Sequence, residues 1–104
     1  MTRITIPDGD IYPVDLVRRA VEKLEAETYA SASHGAWAQA RGRARMVGAL
    51  TALTDTTPAE AARALRFPDA HSGHNAQRAW ERGSPETRTA YLRRVLAIVD
   101  EVAT

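Results

Sequence analysis

The residues best equipped for chemistry lie between positions 69 and 82. His74, Asn75, Gln77, Arg78 and Arg82 share one short polar stretch. Asn and Gln amides can each meet an adenine edge with two hydrogen bonds, and an Arg guanidinium can meet guanine the same way. Arg63 and Arg66 lie just upstream, where guanidinium groups would hold phosphates. Arg41, Arg43 and Arg45 form the densest basic run and are further candidates for phosphate contacts. Rival chemistries are poorer. His71 and His74 flank two residues near Asp69, and His34 would add a third metal ligand. A structural zinc site wants four ligands, usually with Cys, and the chain has no Cys. Asp69, His71 and Ser72 crowd an orienter, a base and a nucleophile into one loop, where they cannot form a catalytic line. The remaining carboxylates are scattered, and many have an Arg or Lys within one helical turn, so acid–base catalysis has no paired site. No enzyme activity, metal or cofactor is expected.

Composition sets the frame. The 104 residues suit one domain, or one domain with an N-terminal extension. Hydrophobic residues make up 44% and charged residues 26%, as in ordinary globular proteins. Alanine is abundant and aromatics are few, so thin helices should pack closely, with volume from Leu, Val, Trp37 and Trp80. The net charge of +1 means that any basic surface must be local. Residues 1–30 carry four basic and six acidic side chains, while residues 31–56 carry three basic and one acidic. The acidic first helix is therefore expected to pair with the basic run, within one chain or between two. Many Ala and Arg with a single Lys also match a high-GC genome, bacterial or phage. No run of about 20 apolar residues is present to span a bilayer. Without a signal-peptide core or cysteines, a cytoplasmic location is the default expectation.

Local signals place the elements. Arg3 to Ile6 alternates like a strand, and Pro7-Asp8-Gly9-Asp10 makes a turn. A first helix is expected from Pro13 to Tyr29, with Val14, Val17, Val21 and Leu24 on one stripe. Asp15 favours its N-terminal dipole end, and Arg18–Glu22 and Lys23–Glu27 are spaced for surface pairs. Ile11 or Tyr12 is placed to staple its first turn. Ser31 to Gly35 is a break. A second helix follows to Leu53, with Trp37, Ala40, Ala44, Val47 and Thr51 on one stripe, widened by Met46, Leu50 and Leu53. Gly42 and Gly48 predict a bend, a split or very close packing there. Thr57-Pro58-Ala59-Glu60 has the pattern of a capping box, opening a helix to Arg66 or Phe67 that Pro68 stops. Asp69 to Gly73 is expected to be a corner, and His74 to Arg82 a helix with a left-handed stop at Gly83. Ser84-Pro85 starts a last helix with Tyr91, Leu92, Val95, Leu96, Val99 and Val102 inward.

The stretch from about Arg45 to Val99 resembles the helix-turn-helix domain of phage-repressor and Cro-like regulators, the XRE type. The residues that carry the resemblance are Thr57-Pro58-Ala59-Glu60-Ala61-Ala62, then His74 to Trp80-Glu81-Arg82-Gly83, then Ser84-Pro85. It covers about half the chain. Three places depart from the pattern. Pro58 stands where the family often has a phosphate-touching Gln, the corner Phe67 to Gly73 is long, and Gln77 stands where an apolar residue is preferred. The resemblance implies a recognition helix that enters the major groove of double-stranded DNA, with Trp80 anchoring it from behind.

The expected fold is all-α, about five helices containing a helix-turn-helix, with a short N-terminal extended segment. Residues 1–30 would form an extended segment, first helix and dimer element, and residues 31–104 the helix-turn-helix domain. The expected function is a small DNA-binding transcriptional regulator, working as a homodimer. The alternative is a non-enzymatic helical interaction protein, such as a phage-encoded inhibitor, adaptor or assembly component that binds protein.

Overall fold

The computed structural model describes the backbone of residues 11–29, 36–67 and 70–103, and the side chains of 11–27, 40–67 and 73–102. The strand at Arg3 to Ile6, the break at Ser31 to Gly35 and the side chains of Trp37, His71 and Ser72 lie outside these. Five α-helices and no strand occupy the described residues: α1 Val14–Tyr29, α2 Ala36–Leu53, α3 Pro58–Ala64, α4 Ala70–Arg82 and α5 Pro85–Ala103. The fold is all-α, as the periodicity predicts. No helix among the described residues is long and apolar enough to cross a membrane.

One core joins all five helices. Val17, Ala20, Val21 and Leu24 of α1 meet Val47, Leu50 and Leu53 of α2 and Val95 and Val99 of α5. Each fully buried Val or Leu contributes about 1.5–3 kcal/mol. The α1 stripe is consumed inside the chain, so α1 belongs to the core and is not a separate appendage. The staple forms through Tyr12, which packs on the core while its N–H donates to the Leu53 carbonyl at 2.9 Å. Ile11 stays outside, 61% exposed. Thr54 N–H and Oγ1 also reach the Leu50 carbonyl, at 2.9 and 2.6 Å. These donors satisfy carbonyls that the end of α2 would otherwise leave open. Arg18 pairs with Glu22 at 2.8 Å as expected, whereas Lys23 reaches Glu101 of α5 at 3.6 Å.

The boundaries differ from the sequence reading at two places. Helix α4 begins at Ala70, not His74, so Gly73 lies inside it. A Cβ at Gly73 would meet the Pro58 carbonyl oxygen at 2.3 Å, so the first turn of α4 presses on the start of α3, and glycine permits that approach. The connection from α3, which ends at Ala64, therefore ends before Ala70 rather than at Gly73. The left-handed residue is Arg66, with φ of 62°, and Gly83 does not adopt that backbone. Phe67 N–H donates to the Ala62 carbonyl and Arg66 N–H to the Arg63 carbonyl, at 2.9 and 3.0 Å. This pair is a Schellman stop, made here by arginine where glycine is usual.

Candidate nucleic-acid interface

Helix α4 has an inward edge of small residues around one large anchor. Gly73, Ala76 and Trp80 are buried, and Trp80 is only 8% exposed. Its indole lies on Gly48 of α2. A Cβ built at Gly48 would sit 2.1–2.5 Å from three indole carbons, so no side chain fits there. Helix α2 runs unbroken past Gly42 and Gly48. Close packing is therefore what Gly48 provides. Tyr91 of α5 meets the indole edge-on, with centroids 6.0 Å apart.

The opposite face of α4 points outward. His74, Asn75, Arg78 and Arg82 are all exposed, as the sequence places them. Arg82 Nε donates to the Arg78 carbonyl at 3.3 Å. Gln77 differs. It is half-buried, with its Oε1 2.9 Å from the Thr51 hydroxyl of α2 and its amide nitrogen 3.4 Å from Glu81. An amide accepting from Thr51 helps fasten α4 to α2, so Gln77 leaves the outward set. Glu81, which the sequence reading passed over, is exposed on that face.

The upstream arginines fall into different settings. Arg63 and Arg66 are exposed at the end of α3. The capping box that begins α3 is complete. Glu60 N–H donates to Thr57 Oγ1 at 3.2 Å, and Thr57 N–H to the Glu60 carboxylate at 2.9 Å. The Thr57 backbone N–H, with the Thr57 side chain second, holds the Glu60 carboxyl below its ordinary pKa. Arg41 is exposed. The Arg43 guanidinium sits 5.0 Å over the Phe67 ring, a cation–π contact that pins the α3–α4 corner to α2.

Arg45 is a correction. Its guanidinium grips Glu25 of α1 with two bonds of 2.7 and 2.9 Å. The acidic helix and basic run thus pair within the chain, through the Arg45–Glu25 contact. Glu25 is 3% exposed and also accepts from the Tyr91 hydroxyl at 2.8 Å. Burial, followed by the Glu25 charge, drives the Tyr91 phenol well above its ordinary pKa. Arg45 serves this buried network rather than a phosphate. Tyr91 carried a sequence signal only as part of an apolar stripe, and its hydroxyl partner had none.

Beside this network lies a groove of about 690 Å³ between α2, α4 and α5, floored by Trp80 and Tyr91. Arg41, Arg45, Arg82 and Arg88 line it. Among the described residues, no group of three or more His, Asp or Glu side chains is placed to hold a metal ion. No protein-family model matches the chain, and no curated protein or solved structure matches it.

Proposed function

We propose that this chain binds double-stranded DNA through α4, as a helix-turn-helix module of a transcriptional regulator. The observation that carries the reading is the division of labour on one helix. Gly73, Ala76 and Trp80 fix α4 to the body, while His74, Asn75, Arg78 and Arg82 stand exposed on it. Such a helix, held rigidly from behind, suits insertion into a major groove. Asn75 and Arg78 would meet base edges, and Arg63, Arg66 and Arg41 would set register on phosphates. Gln77 and Arg45 have internal partners and take no part. A homodimer on two half-sites would raise affinity and specificity.

The test is fluorescence anisotropy with a labelled random duplex. A DNA binder loses affinity linearly in log–log form as salt rises, through counterion release. Arg78→Ala and Arg82→Ala should each weaken binding, and loss of a phosphate contact should lower the salt slope by about one. Absence of binding at low salt sinks the proposal. The exposed Glu81 and the net charge of +1 favour a second reading, a protein partner. In that case no duplex would bind at any salt concentration.

A further inference from the structure

The groove between α2, α4 and α5 has an apolar floor and an arginine, Arg88, that the DNA reading does not use. Its floor is apolar, formed by the indole of Trp80 and the ring of Tyr91, with Ala79 on the α4 side. Its polar rim is cationic. Arg41, Arg82 and Arg88 line it, and among the described residues no Asp or Glu does. Arg45 also reaches the groove, but its charge is met by Glu25. The volume of about 690 Å³ falls in the range of small-molecule sites, which are mostly apolar with a few polar groups to orient the ligand.

Arg88 supplies the sharpest observation. Its Nε is buried and has no hydrogen-bond acceptor among the described residues. Buried donors are nearly always satisfied, and a donor on a charged group is costly to leave open. Arg88 lies in the first turn of α5, after the Ser84 cap. Ser84 Oγ accepts from Thr87 N–H at 3.1 Å, so that cap already has its partner. Arg88 itself lines the groove, so the side chain that carries the open Nε donor stands at this end of it.

We propose that the groove is a binding site for a small amphipathic anion, an apolar body carrying one carboxylate or phosphate head. The head would accept from the Arg88 guanidinium, whose side chain must turn to bring the buried Nε to it, with Arg41 or Arg82 nearby, and the apolar body would cover Trp80 and Tyr91. A guanidinium matches a carboxylate or phosphate with directed, charge-assisted bonds. Among the described lining residues a cationic ligand would meet four arginines and no carboxylate. The proposal stands on the groove and does not need DNA binding.

The probes are octanoate, octyl phosphate, octylammonium and inorganic phosphate, titrated into nitrogen-15-labelled protein. The readout is the amide spectrum together with the arginine Nε–H signals. Octanoate or octyl phosphate should saturably shift the Ala79, Gly83 and Tyr91 amides and the Arg88 Nε–H signal. Octylammonium and inorganic phosphate should bind at least about tenfold more weakly. Equal binding of octylammonium would overturn the charge argument. Equal binding of inorganic phosphate would reduce the groove to a bare anion contact and overturn the ligand class. Arg88→Met should abolish the preference for anions. Ala79→Trp, at an exposed helical position, fills the groove without changing charge. It should weaken octanoate at least about tenfold at an unchanged melting temperature. Wild-type affinity in Ala79→Trp would overturn the location.

Discussion

Replacing Gly48 by alanine tests how α4 is held. Helix propensity alone favours the change, because Ala in a helix interior is better than Gly by about 0.8–1.0 kcal/mol. The structure predicts the opposite sign. The new methyl would lie 2.1–2.5 Å from Trp80 Cδ2, Cγ and Cε2, short of ordinary contact by an ångström or more. Those atoms belong to a rigid ring, itself seated edge-on to Tyr91, so yielding displaces a second aromatic residue. Overpacking of this kind costs about 1–3 kcal/mol. Because the obstruction is a rigid ring, the upper half of that range applies; with the propensity gain of about 1 kcal/mol set against it, Gly48→Ala should destabilise by about 1–2 kcal/mol and lower the urea midpoint by about 1 M. In a Trp80→Leu background the obstruction is gone. There Gly48→Ala should raise the midpoint, so the sign of the effect reverses between backgrounds. Urea unfolding followed by circular dichroism on the four proteins measures both. A higher midpoint for Gly48→Ala alone would refute the claim that the indole occupies the place of that Cβ.

Three further outcomes follow from named contacts. Arg66→Gly should stabilise by about 1 kcal/mol in thermal or urea unfolding, because the left-handed backbone at Arg66 is strained for a residue with a Cβ. The same variant should bind duplex DNA more weakly if Arg66 holds a phosphate, which separates the two roles. Arg45→Met should cost about 2–4 kcal/mol, more than Glu25→Gln, because it leaves the 3%-exposed Glu25 charge without its cation. Arg45, at 30% exposure, can still reach water when Glu25 is neutral. Equal costs in urea would contradict that asymmetry. The Tyr91 phenol is raised above 10.0 in the folded chain, so above that pH the unfolded state releases the proton first. Stability should be fully retained below pH 10 and fall by up to about 1.4 kcal/mol per pH unit above it. Tyr91→Phe should remove that part of the slope in urea midpoints measured across alkaline pH.

The sequence made the helices and their caps legible, because these depend on neighbours within one turn. Thr57-Pro58-Ala59-Glu60 and Ser84-Pro85 start helices where their side chains can close the first turn. The inward place of Trp80 followed from Ala76, one turn before it. The start of α4 was not legible. Ser72-Gly73 looks like a turn, and only the Pro58 carbonyl pressed against Gly73 explains a glycine inside a helix. Arg66 was hidden for the opposite reason, since a Schellman stop without glycine has no local signature. Charge blocks foretold that α1 and the basic run attract, but not that Arg45 is the arginine that grips Glu25. Gln77 seemed an outward residue because its partner, Thr51, comes from a different helix. At the groove, Arg88 carries no sequence signal, because its setting is made by three helices together.

The central claim is that the outward side of α4 meets the duplex. Chemical-shift mapping with a generic duplex at low salt tests it most directly. The account predicts that His74, Asn75, Arg78 and Arg82 shift together with Arg63 and Arg66, while the buried residues of α1 stay in place. Shifts confined to α1 or α5, or an unchanged spectrum at saturating duplex, would contradict it.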